Sequence, residues 1–480
     1  MRPDGWTRKT LRARRADRST GHVLQSPDRG PGRDRRLARA RCRDLQPGGV
    51  RGRRLGPGLG RPARGRAAAR RAARVLPGQV RGRRRADGDA RRRRARGGRR
   101  GARRAARGRG GAGVGRSLRP VRRLYALAVF IPVAVVLDAT GSSAAPVFFT
   151  AALGLVPPAV LMSDATEALA ARSGPGVGAL LNVTFGNAPE LIIAFFALVD
   201  GLQEVVKASL VGSIIGNSLL VLGAAMVAGG WRRERQRFSA EATDRVARLL
   251  LLASLVLVVP ALIQATAGGG HLPGVQEERH DYSAWVEAIS IVAALVLASR
   301  YVIGLTSSVR NRRGLFNITP EFQPGEEIWS VRRSVVLLAV AGVLVGVMSE
   351  VLVGSIEAAS HSVGLSPFFI AVFVVGIAGN AAEHWVAVVV AMKDQMNLSL
   401  GIALGSSVQI AMFLVPALVL LSFVVGPHPM ALVFNGYEVA ALISAAVIAR
   451  IVVRGGQSTR LEGVVLLAVY CALGVVFALA

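Results

Sequence analysis

The stretch N-V-T-F-G-N-A-P-E-L at residues 182–191 returns, altered, as V-G-I-A-G-N-A-A-E-H at residues 375–384. An offset of 193 pairs Gly186 with Gly379, Asn187 with Asn380 and Glu190 with Glu383; it also pairs Gly212 with Gly405 and Ser213 with Ser406. One register thus matches two successive apolar segments, L-V-G-S-I-I-G-N and A-L-G-S-S-V-Q-I, which chance recurrence of a short motif does not do. A weaker echo, Met162-Ser163-Asp164 against Met348-Ser349-Glu350, stands seven residues out of that register.

Working outward, apolar runs recur from residue 124 to the C-terminus, separated by short polar breaks. Runs of about 17–25 residues are long enough to cross a hydrocarbon core as helices. The expected spans are 124–140, 145–169, 177–199, 205–228, 246–266, 284–304, 331–354, 367–391, 399–424, 430–453 and 461–479. The first is short and interrupted by Pro132, so ten is the fallback count. Buried helices of a soluble protein would show amphipathic stripes, and these segments have almost none. The fold class expected is an all-α integral membrane protein of about eleven transmembrane helices: one leading helix and two inverted five-helix repeats, residues 145–266 and 331–479, the first of these ranges enclosing four of the spans and needing 284–304 as its fifth. An odd number of helices per repeat makes the second copy enter the membrane from the opposite side. Secondary transporters use this plan and hold substrate at the midplane between the halves.

The net charge of +32 conflicts with a membrane protein only until the chain is divided. Residues 1–123 hold 42 of the 61 basic residues and 7 of the 29 acidic ones, a surplus of 35 positive charges. The remainder has 19 bases against 22 acids. Residues 1–123 lack Glu, Phe, Tyr, Ile and Asn, and Lys9 is their one lysine. Too little apolar surface is present to offset chain entropy, so residues 1–120 are expected to be a disordered Arg-rich tail and 121–480 the transporter domain. A nucleic-acid-binding arm would carry more aromatic residues than Trp6, and a targeting peptide would be shorter and richer in Ser. The residue types present are those of GC-rich codons, which fits a misassigned start. No Met lies between Met1 and Met162, so initiation near Val114 or Val121 would then be required. No nucleic-acid partner is expected. Cys42 and Cys471 stand too far apart in kind to imply a disulfide or a metal cage.

Loop charges set an expected orientation. With residue 123 inside, the inner loops carry Arg172, Arg232, Arg233, Arg235, Arg237, Arg310, Arg312, Arg313, Arg332, Arg333, Lys393, Arg454 and Arg460, and the outer ones only Lys207 and Arg279. The expectation is a multi-pass protein of the cell (inner) membrane with a cytoplasmic N-terminus.

Glu190 and Glu383 lie near the centres of apolar spans, where a carboxylate costs about 2.5–3.5 kcal/mol or more and faces a partner or an aqueous cavity. Equivalent positions in two repeats imply convergence on one site. Carboxylates flanked by amide and hydroxyl oxygens suit a hard divalent cation, which takes six to eight oxygens when it is Ca²⁺. Asn187 and Asn380, three residues before each Glu, share its helical face. Ser213 and Ser406 would add oxygens from the next helix of each half, and no His or Cys cluster favours a softer metal. Gly186 and Pro189, and Gly376 and Gly379, are expected to loosen the helix before each Glu and free carbonyls as further ligands. When the cation leaves, two close carboxylates in a low dielectric repel, so protons can take its place and couple the fluxes. His384, opposite Leu191 in the repeat, would tune that proton site or serve only packing. Glu167, Glu350 and Glu357 are further acidic candidates near span ends, with Glu350 best placed for an ion pathway. Asn217 and Gln409 would either support the ligands or join helices.

These motifs, with K-x-S-L-V-G-S-I at 207–214 and S-L-G-I-A-L-G-S-S-V-Q-I-A-M-F-L-V-P at 399–416, resemble the calcium/proton exchangers of the cation/Ca²⁺ exchanger superfamily. The resemblance covers about residues 124–480. It implies Ca²⁺ movement driven by a proton gradient, with the repeat glutamates as central ligands, no cofactor beyond the transported Ca²⁺, and no enzyme activity. Sodium/calcium relatives carry Gly–Thr/Ser–Ser–x–Pro–Glu where this chain has Gly–Asn–Ala–x–Glu, so Asn187, Asn380 and His384 place it on the proton-coupled side. Pro189 departs from the Thr of many proton-coupled relatives, and the 305–330 loop, with Glu321, Glu326 and Glu327, is less acidic than some relatives' linkers. Na⁺ coupling, a preference for Mn²⁺ and a passive cation channel stay open. A hydrolase or transferase using the two carboxylates would need a nucleophile that is not evident.

Overall fold

The computed structural model describes residues 124–267, 272–275, 282–310 and 329–480. The Arg-rich tail, Arg279, and most of the 305–330 loop with its three glutamates lie outside the described residues.

The described chain is mostly helical. In order it forms α1 (Leu124–Ala139), α2 (Ala144–Gly186), α3 (Ala188–Val199), α4 (Gln203–Arg232), α5 (Ala240–Ala267), α6 (Ala284–Arg310), α7 (Val331–Gly354), α8 (Ile356–Val363), α9 (Pro367–Met392), α10 (Met396–Leu421), α11 (Gly436–Val453) and α12 (Arg460–Ala478). Two-residue strands β1 (Gln236–Arg237) and β2 (Gln457–Ser458) pair antiparallel. Among the described residues nine helices are long and apolar enough to cross a membrane, or ten if α3 and the last turns of α2, bent by 45°, form one span. This makes the protein a multi-pass membrane protein.

Several expected boundaries are corrected. The second and third spans do separate, not at a loop but at a sharp kink: the first ends at Gly174, whose φ of 80° and ψ of 167° are a backbone only glycine adopts cheaply, and the next runs from Leu180 through the bend at Asn187 to Val199. The expected 430–453 span is helical only from Gly436; residues 429–435 are irregular, with 430–435 buried, and end in a capping box between Asn435 and Glu438. The short α8, capped by Gly364 at φ 71°, was not expected.

The apolar runs pack through small residues, since in lipid close backbone approach replaces hydrophobic drive. Met348 packs its sulfur over Gly154 on α2, and Met162 lays its methyl over Gly342 on α7. The two methionines of the Met-Ser-acid echo therefore make a reciprocal helix contact. Gly212 on α4 meets the Val372 carbonyl on α9 so closely that a methyl could not be inserted. Three wide π-type turns, Gly216–Val221, Ala371–Val375 and Ile410–Leu414, interrupt α4, α9 and α10. Such turns gather at functional positions. The first and third end at Val221 and Leu414, again 193 residues apart.

Candidate functional site

The helix breaks at one of the two Gly–Asn motifs. Asn187 has φ −101° and ψ 20°, ending α2 and preceding α3, with Pro189 in the first turn, where a missing N–H costs nothing. The last carbonyls of α2 thereby lose their helical donors. Glu190 sits in the first turn of α3, buried at 7% exposure. In the second half α9 runs unbroken from Gly376 through Glu383. The expectation that Gly376 and Gly379 loosen that helix is overturned. Their absent side chains make room instead: a Cβ on Gly376 would press on Gly212 and Ser213 backbone, and one on Gly379 would stand 3.2 Å from Glu190 Cγ.

This packing is reciprocal. Glu190 lies over Gly379, one turn before Glu383, while Glu383 Oε1 comes within 3.7 Å of where a Cβ on Gly186 would stand, one residue before Asn187. The two carboxylates thus reach across to each other's motif. The amides do the same. Asn187 Nδ2 donates to Gln409 Oε1 at 2.8 Å, Asn380 Nδ2 to Ser213 Oγ at 2.9 Å, and Asn217 Nδ2 to Ser406 Oγ at 3.2 Å. Ser213 donates onward to the Gly376 carbonyl, and Ser406 hydrogen-bonds the Glu383 carboxylate. Each of the three bonds donated by the asparagine amides joins one half of the chain to the other. Behind them Ser218 and Ser407 share a hydrogen bond of 3.1 Å.

The amide N–H groups are spent on these bonds, which leaves the oxygens. Asn187 Oδ1, Glu190 Oε2, Asn380 Oδ1 and Glu383 Oε2 are all buried with no hydrogen-bond partner. Buried oxygens left unpaired are costly, and four from two motifs call for something that supplies positive charge. A hard cation or protons meet that need; a catalytic nucleophile does not figure in it. Among the described residues no group of three His, Cys, Asp or Glu side chains could hold a metal, so amide and hydroxyl oxygens must complete any coordination.

The six expected ligands are thus brought into one cross-linked cluster. Asn217 and Gln409 prove to be the hydrogen-bond partners that aim Asn187 and position Ser406. His384 is adjacent, half-buried, with Nε2 buried and unpartnered. Glu350 and Glu357 are exposed. Asp164, seen in the sequence only as part of the echo, accepts a hydrogen bond from Tyr125 of α1 at 2.9 Å.

Lys207 was read as an outer-loop cation, and that is corrected. It is 1% exposed, ion-paired to Glu204, and it donates to the Val433 carbonyl at 2.7 Å beneath the Tyr282 ring. Its bond pins the irregular segment before α11 onto the start of α4. No local signal marks this, because the acceptor lies 226 residues away. Lys207→Met is expected to destabilise the protein by about 1–3 kcal/mol, since half-buried Glu204 loses its partner and the buried Val433 carbonyl its donor. Thermal unfolding of the solubilised protein measures it; an unchanged midpoint removes the pinning role.

A helical, multi-pass protein whose two halves cross-link around a pair of carboxylates, each with a buried and unpartnered oxygen, has the architecture of a membrane ion exchanger. The chain belongs to the sodium/calcium exchanger protein family, whose model matches residues 143–310 and 333–479. It is 39% identical over 372 residues to the Ca(2+)/H(+) antiporter of Synechocystis sp. (strain ATCC 27184 / PCC 6803 / Kazusa), a match covering 73% of this chain and 95% of that protein. The Ca(2+)/H(+) antiporter of Aphanothece halophytica is 37% identical over 367 residues, with 74% and 95% covered. The solved structure of native YfkE superposes with a TM-score of 0.64 at 32% identity, covering 74% of this chain and all of that one.

Proposed function

We propose that the protein exchanges Ca²⁺ for H⁺ across a membrane, with Glu190, Glu383, Asn187, Asn380, Ser213 and Ser406 as the cation site. The observation that carries this reading is the set of four buried, unpartnered oxygens contributed equally by the two Gly–Asn motifs. Two carboxylates match the charge of a dication, and the amide and hydroxyl oxygens raise its coordination toward the six to eight that Ca²⁺ takes. Glu190 and Glu383, once the cation has left, are two acids in a low dielectric that discharge by taking protons. One set of oxygens then holds either Ca²⁺ or protons, never both, and that exclusion couples the two fluxes. His384 beside Glu383 extends the proton site. The antiporter names of the relatives support the same pair of ions.

The architecture proposed is α1 plus two five-helix repeats of opposite orientation. Counting the bent pair as one span and adding α1 gives eleven crossings, in line with the nine to ten long spans and the shorter apolar helix. The N-terminus is cytoplasmic and the 229–245 and 305–332 loops face the cytoplasm, as their arginines direct. A single Cys at the exposed Ser239 should resist an impermeant thiol reagent added to intact cells; labelling from outside reverses the topology.

The exchange itself is tested with purified protein in proteoliposomes, following Ca²⁺ uptake against an imposed pH gradient. Uptake that needs the gradient and ignores Na⁺ is expected. Uptake driven by Na⁺ makes it a Na⁺-coupled exchanger, preference for Mn²⁺ changes the substrate, and rapid flux without a gradient makes it a channel.

A further inference from the structure

The start of α12 and the end of α4 meet through two glycines. A Cβ on Gly463 would stand 2.7 Å from the Gly223 carbonyl, and one on Gly223 would stand 2.9 Å from the Gly463 carbonyl, so the backbones touch. Two turns further along α4, Gly230 receives the Arg460 stem, whose Cγ lies 2.5 Å from where a Cβ would stand. The Arg460 guanidinium is thereby laid over the Trp231 ring at 5.0 Å. Arg232, Arg233, Glu234, Thr459 and Leu461 join them around an open cleft of about 500 Å³.

Two of these polar groups are already engaged. Arg233 pairs with Asp394 at 3.4 Å and bonds the Gly229 carbonyl, and Thr459 caps α12 with Glu462. Arg232, Arg460 and Glu234 are left. All three are exposed, among the described residues none makes an ion pair or a side-chain hydrogen bond, and the two guanidinium groups outweigh the one carboxylate. Two spans end here, so the cleft sits where hydrocarbon gives way to water. Trp231 is 67% exposed at that level, as aromatic belt residues are. Below the arginines, Leu461, Val464 and Val465 of α12 present an exposed apolar flank.

We propose that this cleft binds the headgroup phosphate of an anionic phospholipid. Two guanidinium forks supply paired donors for phosphate oxygens, Trp231 holds one fork in place, and the flank receives the acyl chains. A free phosphate has no use for that flank, which is why a lipid is assigned. The site lies apart from the cation cluster and joins the first half of the chain to the second beside the β1–β2 pair. On the proposed topology it faces the cytoplasmic leaflet.

Native mass spectrometry of the full chain in detergent, titrated with phosphatidylglycerol or phosphatidylcholine, tests it. Wild type should prefer phosphatidylglycerol, and each arginine near an anionic surface contributes a factor of about five. Arg232→Gln should lose about that much, and the double variant with Arg460→Gln about thirtyfold. Arg245→Gln with Arg332→Gln, the same charge loss elsewhere, should change binding less than about twofold. Because exposed Arg232 packs against nothing in the core, its single variant reads the site even if the double variant folds poorly. Equal loss in the charge-matched control, no loss in Arg232→Gln, or displacement of the lipid by millimolar inorganic phosphate overturns the proposal.

Discussion

Glu190→Gln and Glu383→Gln each reduce proton-driven Ca²⁺ uptake to background, with expression and insertion unchanged. The substitution keeps size and one carbonyl oxygen but removes both the charge and the titratable group. A dication then faces a single carboxylate, and depriving a buried charge of its partner costs about 3–5 kcal/mol. At about 1.4 kcal/mol per decade that is a hundredfold or greater loss. The proton loses its place on the return half of the cycle as well. Both variants should be comparably severe because the motifs pack reciprocally, Glu190 over Gly379 and Glu383 toward Gly186. Ser213→Ala should cost less, about fivefold, as it removes one hydrogen bond to Asn380 of about 1 kcal/mol. Uptake of ⁴⁵Ca²⁺ into vesicles at matched expression decides it. Near-normal uptake in either glutamate variant would sink the shared site and leave only a fold-level kinship.

The second large effect comes from a methyl group placed where two helices touch. Gly212→Ala puts a Cβ into the Val372 carbonyl, so α4 and the wide turn of α9 must separate. Overpacking of this kind costs about 1–3 kcal/mol, and here the obstacle is backbone that cannot turn aside. Because Ser213 and Asn380 bond across the same contact, transport should fall at least tenfold along with stability. Gly379→Ala, 3.2 Å from Glu190 Cγ, should spare stability more than transport, since a carboxylate side chain can shift but then leaves its position. Gly216→Ala is the control: its Cβ meets open space, and alanine suits a helix better by about 1 kcal/mol. Thermal midpoints and uptake rates of the three separate these effects. Equal tolerance of Gly212→Ala and Gly216→Ala removes the close-approach argument.

Much of this was legible along the chain because it depends on local properties. The length of an apolar run decides whether it can span, and that alone located most helices to within a few residues. The 193-residue register, read from Gly186, Asn187 and Glu190 against their mates, marked the motifs that meet in space. The chemistry was legible too, since carboxylates in apolar runs need partners; the amide three residues earlier shares the helical face of Glu383, whereas Asn187 stands at the break before Glu190.

What the linear pattern left undecided depended on residues far away in sequence. The shared Gly–Asn pair ends one helix at Asn187 and lies within an unbroken helix at Asn380; Pro189, present in the first motif alone, marks the difference locally, yet glycines in both motifs led to the expectation that both helices loosen. Gly376 and Gly379 read as weak points and act as clearances, because the neighbour each accommodates belongs to the other half. Lys207 read as a loop charge and is buried by an acceptor at Val433. Asn187 and Asn380 show the division most plainly. Their residue type and spacing announce oxygen donors, yet which atom stays free is decided by where the amide N–H goes. Gln409 and Ser213, 222 and 167 residues away, take it and leave each Oδ1 unpaired. A hydrogen bond is directional and consumes one partner, so only the folded arrangement, by supplying that partner, decides which oxygens remain for an ion.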